Sequence, residues 1–374
     1  MYFGAECTFE SSLVDSATVK YFPRECSTVC SDSALYIGYE TDLSEKQMTD
    51  LFQNMRHLVG DLIVTRSKYK TSRFLAPLET VDCANTGFFK WSLNDKMTEI
   101  GLPNLTNVSC RVEIVANRNM TQLNLPKMIP VVSIDANYSL LDVRIAYNSA
   151  EMCIRLEEMA NLMTYDDVEF EQKAAGGIDA DYCPPFADTS LRDKVCDVRN
   201  ASLAEMPSDC VNVVGEVRVD GGSEEHVHKL STLVSLFGRL VIENTDNLTN
   251  VDFLANLKHI VSLTDDEPAL LVEHNPNLSN FTLPSLTRLH GQIFVPVVFN
   301  NNSEALSRNA AFCYKLRDSI TARHTWIVKF DGKVCEDVEK ASASATTTSD
   351  NSTTPSRFTF LLLLTTICIL TAFL

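Results

Sequence analysis

The 374-residue sequence lacks the short motifs that mark common enzyme classes. No G-x-S-x-G, H-E-x-x-H, P-loop or G-x-G-x-x-G pattern occurs, and there is no catalytic Cys–His signature. Cys-x-x-Cys pairs are absent and the seven histidines are scattered, so we predict neither a metal site nor a cofactor. With a net charge of −17 and no cluster of Lys and Arg, the chain is not expected to bind nucleic acid. We therefore predict a protein that is not an enzyme.

A ten-residue pattern occurs three times, at residues 94–103, 117–126 and 275–284. Each copy begins with Asn, has an apolar residue at +3, Thr or Ser at +4 and an apolar residue at +6, and ends in Leu-Pro. The first two copies start 23 residues apart, which suits one repeat unit of a parallel solenoid. We expect each Asn to bond free backbone groups where the chain turns a corner.

Each of these Asn residues follows a short predicted strand with apolar residues at −5 and −3. Because side chains alternate along a strand, both positions are predicted to point inward. The same alternation assigns inward positions on the first predicted sheet to Leu35, Ile37, Leu62, Val64, Phe89, Trp91, Val112 and Ile114. In the third copy, the inward residues are Leu270 and Val272.

The repeat units belong to two similar blocks. Residues 60–64 match residues 238–242, and an F-L-x-x-L segment follows at 74–78 in the first block and 253–257 in the second. Corresponding Asn motifs are offset by about 180 residues, and both blocks close on a similar segment that contains a cysteine. Landmarks in this constant order predict a duplicated domain rather than a coincidental leucine periodicity.

The order of strand, F-L-x-x-L, Asn motif and terminal cysteine resembles the receptor L domain of insulin and EGF receptors over residues 26–335. Two such domains and a short hydrophobic end most resemble the nematode insulin/EGF-receptor L-domain proteins. The resemblance implies a mainly β fold of two tandem right-handed parallel β-helices, similar to leucine-rich-repeat solenoids, with short helices. It also implies binding of extracellular peptides. Unlike those receptors, this sequence has only a short linker between the two blocks and contains no kinase domain.

The predicted organisation has six segments. They are an N-terminal segment, 1–25; a first L domain, 26–165; a linker with cysteines, 166–209; a second L domain, 210–335; a Ser/Thr-rich stalk, 336–357; and a hydrophobic signal, 358–374. Small residues, a polar spacer and an apolar tail predict a GPI anchor attached at Ser344, with a single-pass helix as the alternative. A secreted chain is expected to carry an apolar leader, and none is seen before residue 26, so one hypothesis places the natural start upstream.

Sequons and cysteines together indicate the secretory pathway. The sequons lie at Asn104, Asn107, Asn119, Asn137, Asn200, Asn247, Asn277, Asn280, Asn301 and Asn351, and several overlap the Asn motif, where the amide can instead be structural. The order of the twelve cysteines suggests the pairs Cys153–Cys183, Cys313–Cys335, Cys196–Cys210 and Cys83–Cys110, although sequence alone permits many others. Cys7, Cys26 and Cys30 stay unassigned, which leaves open a missing partner upstream or an interchain bridge in a homodimer.

The outward positions of the first predicted sheet form a hypothetical ligand-binding face. They are Tyr36, Ile63, Thr65, Lys90, Ser92, Glu113 and Val115. In the receptors that the chain resembles, the corresponding face takes part in ligand binding. We therefore expect a lipid-anchored cell-surface protein that captures a secreted insulin-like or growth-factor-like peptide, or binds a receptor ectodomain, as decoy or co-receptor. The alternative is a structural protein of the cell surface that mediates adhesion or receptor dimerisation.

Overall fold

The structure is a computed structural model that describes residues 5–83, 87–131, 141–164, 168–170, 178–184, 194–199, 201–264, 267–293, 295–319 and 327–349. Within these ranges the chain is mainly β, with parallel sheets and few helices. We call residues 5–184 the N-terminal half and residues 194–349 the C-terminal half. The sequons at Asn137, Asn200 and Asn351 and the tail 358–374 lie outside the described residues.

The strands are short. Those of the N-terminal half are β1 (Thr8–Phe9), β2 (Thr28–Ile37), β3 (His57–Thr65), β4 (Thr80–Asp82), β5 (Phe88–Ser92), β6 (Asn107–Val108), β7 (Arg111–Val115), β8 (Ile129–Pro130), β9 (Leu141–Ala146), β10 (Cys153–Ile154), β11 (Val168–Phe170) and β12 (Asp181–Tyr182). Those of the C-terminal half are β13 (Val195–Asp197), β14 (Asn212–Val214), β15 (Val217–Val219), β16 (Ser235–Phe237), β17 (Leu240–Glu243), β18 (His259–Val261), β19 (Leu270–Glu273), β20 (Arg288–His290), β21 (Val297–Asn300) and β22 (Val328–Phe330).

The α-helices lie at the start and the ends of the halves. They are α1 (Glu45–Phe52), α2 (Leu156–Leu162), α3 (Glu304–Ser307), α4 (Ala310–Ser319) and α5 (Cys335–Ser349). Ser44 caps α1 by accepting a hydrogen bond from the Gln47 amide, while the Gln47 side chain accepts one from the Ser44 amide at 2.9 Å. The helix buries Phe52, whose ring lies 5.1 Å from that of Phe22.

The strands form four parallel ladders and one separate parallel pair, β10 with β12. Ladder 1 joins β2, β3, β5, β7, β9 and β11, and ladder 2 joins β1, β2, β3, β4, β6 and β8. In the C-terminal half, ladder 3 has the order β15-β17-β19-β21-β22 and ladder 4 has the order β13-β14-β16-β18-β20. From β4 to β9 and from β14 to β21, successive strands alternate between the two ladders of their half, so each returns beside its equivalent one repeat unit later.

Glycine permits the sharp bend between ladders. Gly60 lies within β3, where that strand passes from ladder 2 to ladder 1, and has φ +131°. A Cβ atom there would lie 2.6 Å from the Ser31 carbonyl oxygen of the preceding repeat unit. Gly238, its counterpart in the duplicated sequence, has φ +159° and lies against the Gly215 carbonyl oxygen. Any other residue would combine an unfavourable φ with a backbone collision at either position.

The inward side of ladder 1 is an apolar core. Hydrogen-bonded register aligns Leu35, Leu62, Phe89, Val112 and Val143 in one row and Ile37, Val64, Trp91, Ile114 and Ile145 in the next. All ten residues are at most 1% exposed, which confirms the inward positions predicted from the period-two alternation.

The two halves pack against each other. Val214, Phe237, Val261 and Leu263 of the C-terminal half belong to the hydrophobic core of the N-terminal half. The rings of Tyr182 and Phe237 meet edge to face at 5.5 Å, and the Tyr182 hydroxyl donates a hydrogen bond of 3.0 Å to the Val261 carbonyl oxygen. The N-terminal half therefore covers part of the outer side of ladder 4.

The beginning of the segment predicted as a stalk is helical. Helix α5 starts at Cys335, which is bonded to Cys313, and continues through Ser344 to Ser349. Val338 is buried, and the Tyr314 hydroxyl donates a 2.8 Å hydrogen bond to the carboxylate of Glu339. The bridge and these side-chain contacts hold the helix against α4, which the Ser/Thr-rich composition did not predict. Among the described residues, no helix is long and apolar enough to span a membrane.

Candidate ligand-binding face

The seven residues of the predicted ligand-binding face lie on the outward side of ladder 1. Strand register aligns Tyr36, Ile63, Lys90 and Glu113 in one row, and Thr65, Ser92 and Val115 in a second row. Adjacent parallel strands are about 4.8 Å apart, so neighbours in a row are close enough for direct contact. The structure thus brings all seven backbone positions together on one surface, which we call the ladder 1 face.

The ladder 1 face has an apolar end and an ionic end. Tyr36 and Ile63 are partly exposed on β2 and β3. Partial burial and the nearby Glu40 carboxylate raise the pKa of Tyr36, so its phenol is neutral at physiological pH. At the other end, the Lys90 Nζ lies 2.9 Å from a Glu113 carboxylate oxygen, and the next residue of the row, Arg144, approaches the same carboxylate at 3.9 Å.

Ser92 differs from the other predicted face residues because it is only 6% exposed. Its hydroxyl donates a 2.9 Å hydrogen bond to the Thr65 hydroxyl on the neighbouring strand. A serine side chain is short, so longer side chains around it shield it even in an outward position. Ser92 thus lies in the outward row as predicted, but it is shielded from solvent and its hydroxyl makes a cross-strand contact.

The structure adds residues that the sequence reasoning missed. Phe88 lies on the face, with the Lys90 Nζ 5.7 Å and the Arg111 guanidinium 5.9 Å from its ring centre. Arg111 pairs with Asp142 at 3.4 Å. The face also extends to β9 through Arg144. One signal could have found β9, because Asn148 is preceded by buried apolar residues at −5 and −3 although it lacks the Leu-Pro end of the pattern.

A ladder of buried asparagines fixes one edge of the face. Asn94 and Asn117 are fully buried. The Asn117 amide nitrogen donates to the Trp91 carbonyl oxygen at 3.0 Å and to the Asn148 side-chain oxygen at 3.0 Å. Its side-chain oxygen accepts from the backbone and side-chain nitrogens of Asn94 at 3.1 and 2.9 Å. The predicted corner role is confirmed, and the bonds also join one repeat unit to the next.

The C-terminal half contains a second ladder of buried asparagines. Asn275 is fully buried, and its amide nitrogen donates to the Ile242 carbonyl oxygen at 2.9 Å and to the Asn302 side-chain oxygen at 2.8 Å. Thr245 begins this ladder by donating to the Asn275 side-chain oxygen at 2.7 Å. Ser67 begins the ladder of the N-terminal half, because its backbone amide donates to the Asn94 side-chain oxygen at 2.9 Å. The residue before each ladder position has positive φ: Arg66, Leu93, Ala116, Tyr147, Asn244, His274 and Asn301.

Five disulfides lie within the two halves. Four join the cysteines that the sequence order paired, namely Cys83–Cys110, Cys153–Cys183, Cys196–Cys210 and Cys313–Cys335. The fifth joins Cys7 and Cys26, both left unassigned by the sequence. Within the described residues Cys30 is the free cysteine; burial, reinforced by Asp32, raises the pKa of its thiol. Cys7 and Cys26 are thus paired within the chain, and Cys30 is left as the candidate for the interchain bridge expected as an alternative.

Seven of the predicted glycosylation sites fall within the described residues, and all seven Asn residues are exposed: Asn104, Asn107, Asn119, Asn247, Asn277, Asn280 and Asn301. Three of their side chains bond backbone carbonyls of the preceding repeat unit: Asn104 to Ala76, Asn119 to Asp95 and Asn277 to Asp246. The side-chain amides of these three sequon asparagines are therefore exposed and also stabilise the backbone of the repeat. Among the seven described sites, none is on a strand of the ladder 1 face.

Comparison with known families identifies one matching region. Residues 209–318 match the receptor L domain. This region runs from β14 into α4 and contains most of ladders 3 and 4. The match and the five disulfides fit an extracellular ligand-binding domain, and they suggest a cell-surface or secreted setting. No curated protein matches the chain.

Proposed function

We propose that this protein is a GPI-anchored cell-surface protein with two receptor L domains, each a single-stranded right-handed parallel β-helix. It captures a secreted peptide of the insulin or growth-factor type as decoy or co-receptor, as its resemblance to the nematode insulin/EGF-receptor L-domain proteins implies. The family match covers residues 209–318 of the C-terminal half. Support for a second domain comes from the N-terminal half, which repeats the alternating parallel ladders, the asparagine ladder and the glycine bend.

The ladder 1 face is the observation that carries the proposal. Tyr36 and Ile63 are neighbours in register and provide an aromatic and an apolar contact of the kind that anchors interfaces. The adjacent ionic row of Lys90, Glu113 and Arg144 is suited to a polar rim that orients a ligand. A glycan would obstruct a protein ligand, so the lack of sequons on the strands of this face supports its use as the contact surface.

The binding proposal can be tested with full-length protein on cells. The probes are the insulin-like and growth-factor peptides of the source organism, each applied in labelled form. We expect at least one to bind saturably, and Ile63→Asp to weaken that binding about tenfold or more by placing a charge in the apolar anchor. Lys127→Asp, at an exposed turn residue before β8, is the control and should leave affinity unchanged.

Two outcomes would contradict this assignment. Absence of binding across the full peptide set would remove the ligand class. Equal loss of binding in Ile63→Asp and Lys127→Asp would remove the ladder 1 face as the contact surface. Self-association of the wild-type protein at micromolar concentration, without any peptide bound, would instead support the adhesion or dimerisation role.

The anchoring part of the proposal has a separate test. Ser344 is followed by small residues and a polar spacer that precedes the tail at 358–374, as lipid attachment requires. Phosphatidylinositol-specific phospholipase should therefore release the protein from intact cells. Retention on the membrane, with peptides from the tail still detectable by mass spectrometry, would mean a single-pass helix.

A further inference from the structure

A cleft of about 540 Å³ lies between the two halves of the chain. One side is formed near Met152 and Tyr182, and the other near Val214, Phe237 and Leu263. Its volume falls within the range of about 300–1,000 Å³ that is typical of small-ligand sites. None of the seven predicted residues of the ladder 1 face lines this cleft, so it is a separate site.

The inner wall of the cleft is apolar. Met152 and Phe237 are both 2% exposed, and Tyr182 holds its ring against Phe237 at 5.5 Å. The Tyr182 hydroxyl is already used by its hydrogen bond to the Val261 carbonyl oxygen, so the ring presents carbon to its surroundings. A ligand that enters here would gain binding energy by burying an aromatic or branched apolar side chain.

The rim of the cleft is acidic. Four carboxylates line it, those of Glu151, Asp181, Glu216 and Glu267, whereas the only two cationic side chains among the described lining residues are Arg199 and Arg239.

Both arginines already have carboxylate partners. Arg239 is 6% exposed and lies 2.8 Å from Glu216 and 2.5 Å from Glu267. Arg199 donates to both carboxylate oxygens of Asp197, at 3.0 and 2.8 Å. The guanidinium groups are thus neutralised, while the exposed Glu151 and Asp181 add negative charge at the entrance. The net field in the cleft favours a cation.

We propose that this cleft binds a cationic amphipathic peptide segment, in which a Lys or Arg adjoins an aromatic or branched apolar residue. The apolar side chain lies against Met152, Tyr182 and Phe237. The basic group lies at the rim, near Glu151 and Asp181. An acidic peptide is disfavoured because it would meet Glu151 and Asp181 at the rim, while Arg199 and Arg239 are paired with the carboxylates of Asp197, Glu216 and Glu267.

The test uses full-length protein, isothermal titration calorimetry at low ionic strength, and two capped dipeptide amides, acetyl-Phe-Arg and acetyl-Phe-Glu. We expect saturable binding of the Phe-Arg probe, and binding of the Phe-Glu probe that is weaker by about tenfold or more. Glu151→Lys with Asp181→Lys reverses two exposed charges, so the Phe-Arg affinity should fall about tenfold and the preference should shift towards Phe-Glu.

The matched control is Glu10→Lys with Glu25→Lys, which makes the same change in net charge at exposed residues near the opposite end of the N-terminal half. Its Phe-Arg affinity should equal that of the wild type. Ile63→Asp should also leave dipeptide binding unchanged, which separates this site from the ladder 1 face. Failure of the wild type to bind Phe-Arg, equal binding of both probes, or equal effects of the two charge-reversal variants would overturn the proposal.

Discussion

At the scale of single residues, the asparagine ladder stands out because each amide satisfies backbone groups of a neighbouring repeat unit. Asn117 makes four hydrogen bonds within 3.1 Å while fully buried. The same side-chain groups could not bond water at this depth, so losing them leaves orphaned donors and acceptors. This explains why Asn, which is otherwise common in exposed turns, is buried here.

We predict that Asn117→Ala lowers the free energy of unfolding by about 2–4 kcal/mol, since it leaves several buried polar groups without partners. Urea denaturation followed by circular dichroism measures the change. Arg118→Ala, at the exposed next residue, is the control and should change stability by less than about 0.5 kcal/mol. A similar small effect of Asn117→Ala would mean that the amide ladder does not stabilise the fold.

Residues also show the limits of local patterns. Ser92 lies on the outward side of its strand, as the alternation predicts, yet it is buried. Solvent exposure depends on the length of the neighbouring side chains as well as on the side of the sheet that a residue occupies. Cys7 and Cys26 could not be paired from order, since the three N-terminal cysteines have no counterpart in the second block.

At the scale of single elements, β5 illustrates how alternation divides a strand into two functions. Trp91 points inward with no exposure, lies 4.4 Å from the Phe89 ring, and donates a 2.8 Å hydrogen bond to the Ser72 hydroxyl. Lys90, one residue earlier, points outward and pairs with Glu113. The strand therefore contributes its odd positions to the core and its even positions to the ladder 1 face.

We predict that Trp91→Ala costs about 3–5 kcal/mol of stability, because it opens a large cavity and removes the bond to Ser72. Lys90→Ala should cost at most about 1 kcal/mol, since a partly exposed ion pair contributes little. The two effects can be compared by chemical denaturation of both variants, and secretion of Trp91→Ala from cells should fall. Equal destabilisation by both variants would contradict the inward and outward assignment.

At the scale of the whole molecule, the two halves share an interface, and His290 lies within it. This residue is 3% exposed on β20, in register with Val261, whose carbonyl accepts the Tyr182 hydroxyl. Burial lowers the pKa of His290 to about 3, and the nearby Arg288 guanidinium adds to the effect. The folded protein thus keeps this imidazole neutral, whereas the unfolded chain protonates it near pH 6.5.

The lowered pKa of His290 means that the free energy of unfolding decreases as the pH falls. A group whose pKa is lower in the folded state contributes its stability fully above pH 6.5 and loses it as the pH falls towards 3. We predict that His290 makes the free energy of unfolding fall by up to about 1.4 kcal/mol per pH unit below pH 6.5. His290→Gln should flatten this decline, as measured by urea denaturation from pH 7.5 to pH 5. An unchanged slope in that variant would contradict the buried neutral histidine.

Sequence alone determined the features that depend on local periodicity and spacing. The parallel strands, the inward rows from Leu35 to Ile114 and the asparagine corners follow from a period of two residues within a strand and a repeat along the chain. The four cysteine pairs were suggested by the order of the cysteines along the two blocks, and each joins residues no more than 30 positions apart.

Only the tertiary structure decided how the two halves meet. The Gln292 side chain donates to the Ile178 carbonyl across 114 residues, and Tyr182 packs against Phe237. No local period encodes such contacts, because they arise where surfaces of two separately built cores become complementary. Because the N-terminal half covers the outer side of ladder 4, His290 is buried and a cleft remains beside Phe237. The ladder 4 strands are only three residues long, so the apolar residues Val214, Phe237 and Val261 on their outer side form no run long enough to indicate from sequence that this side faces protein rather than solvent.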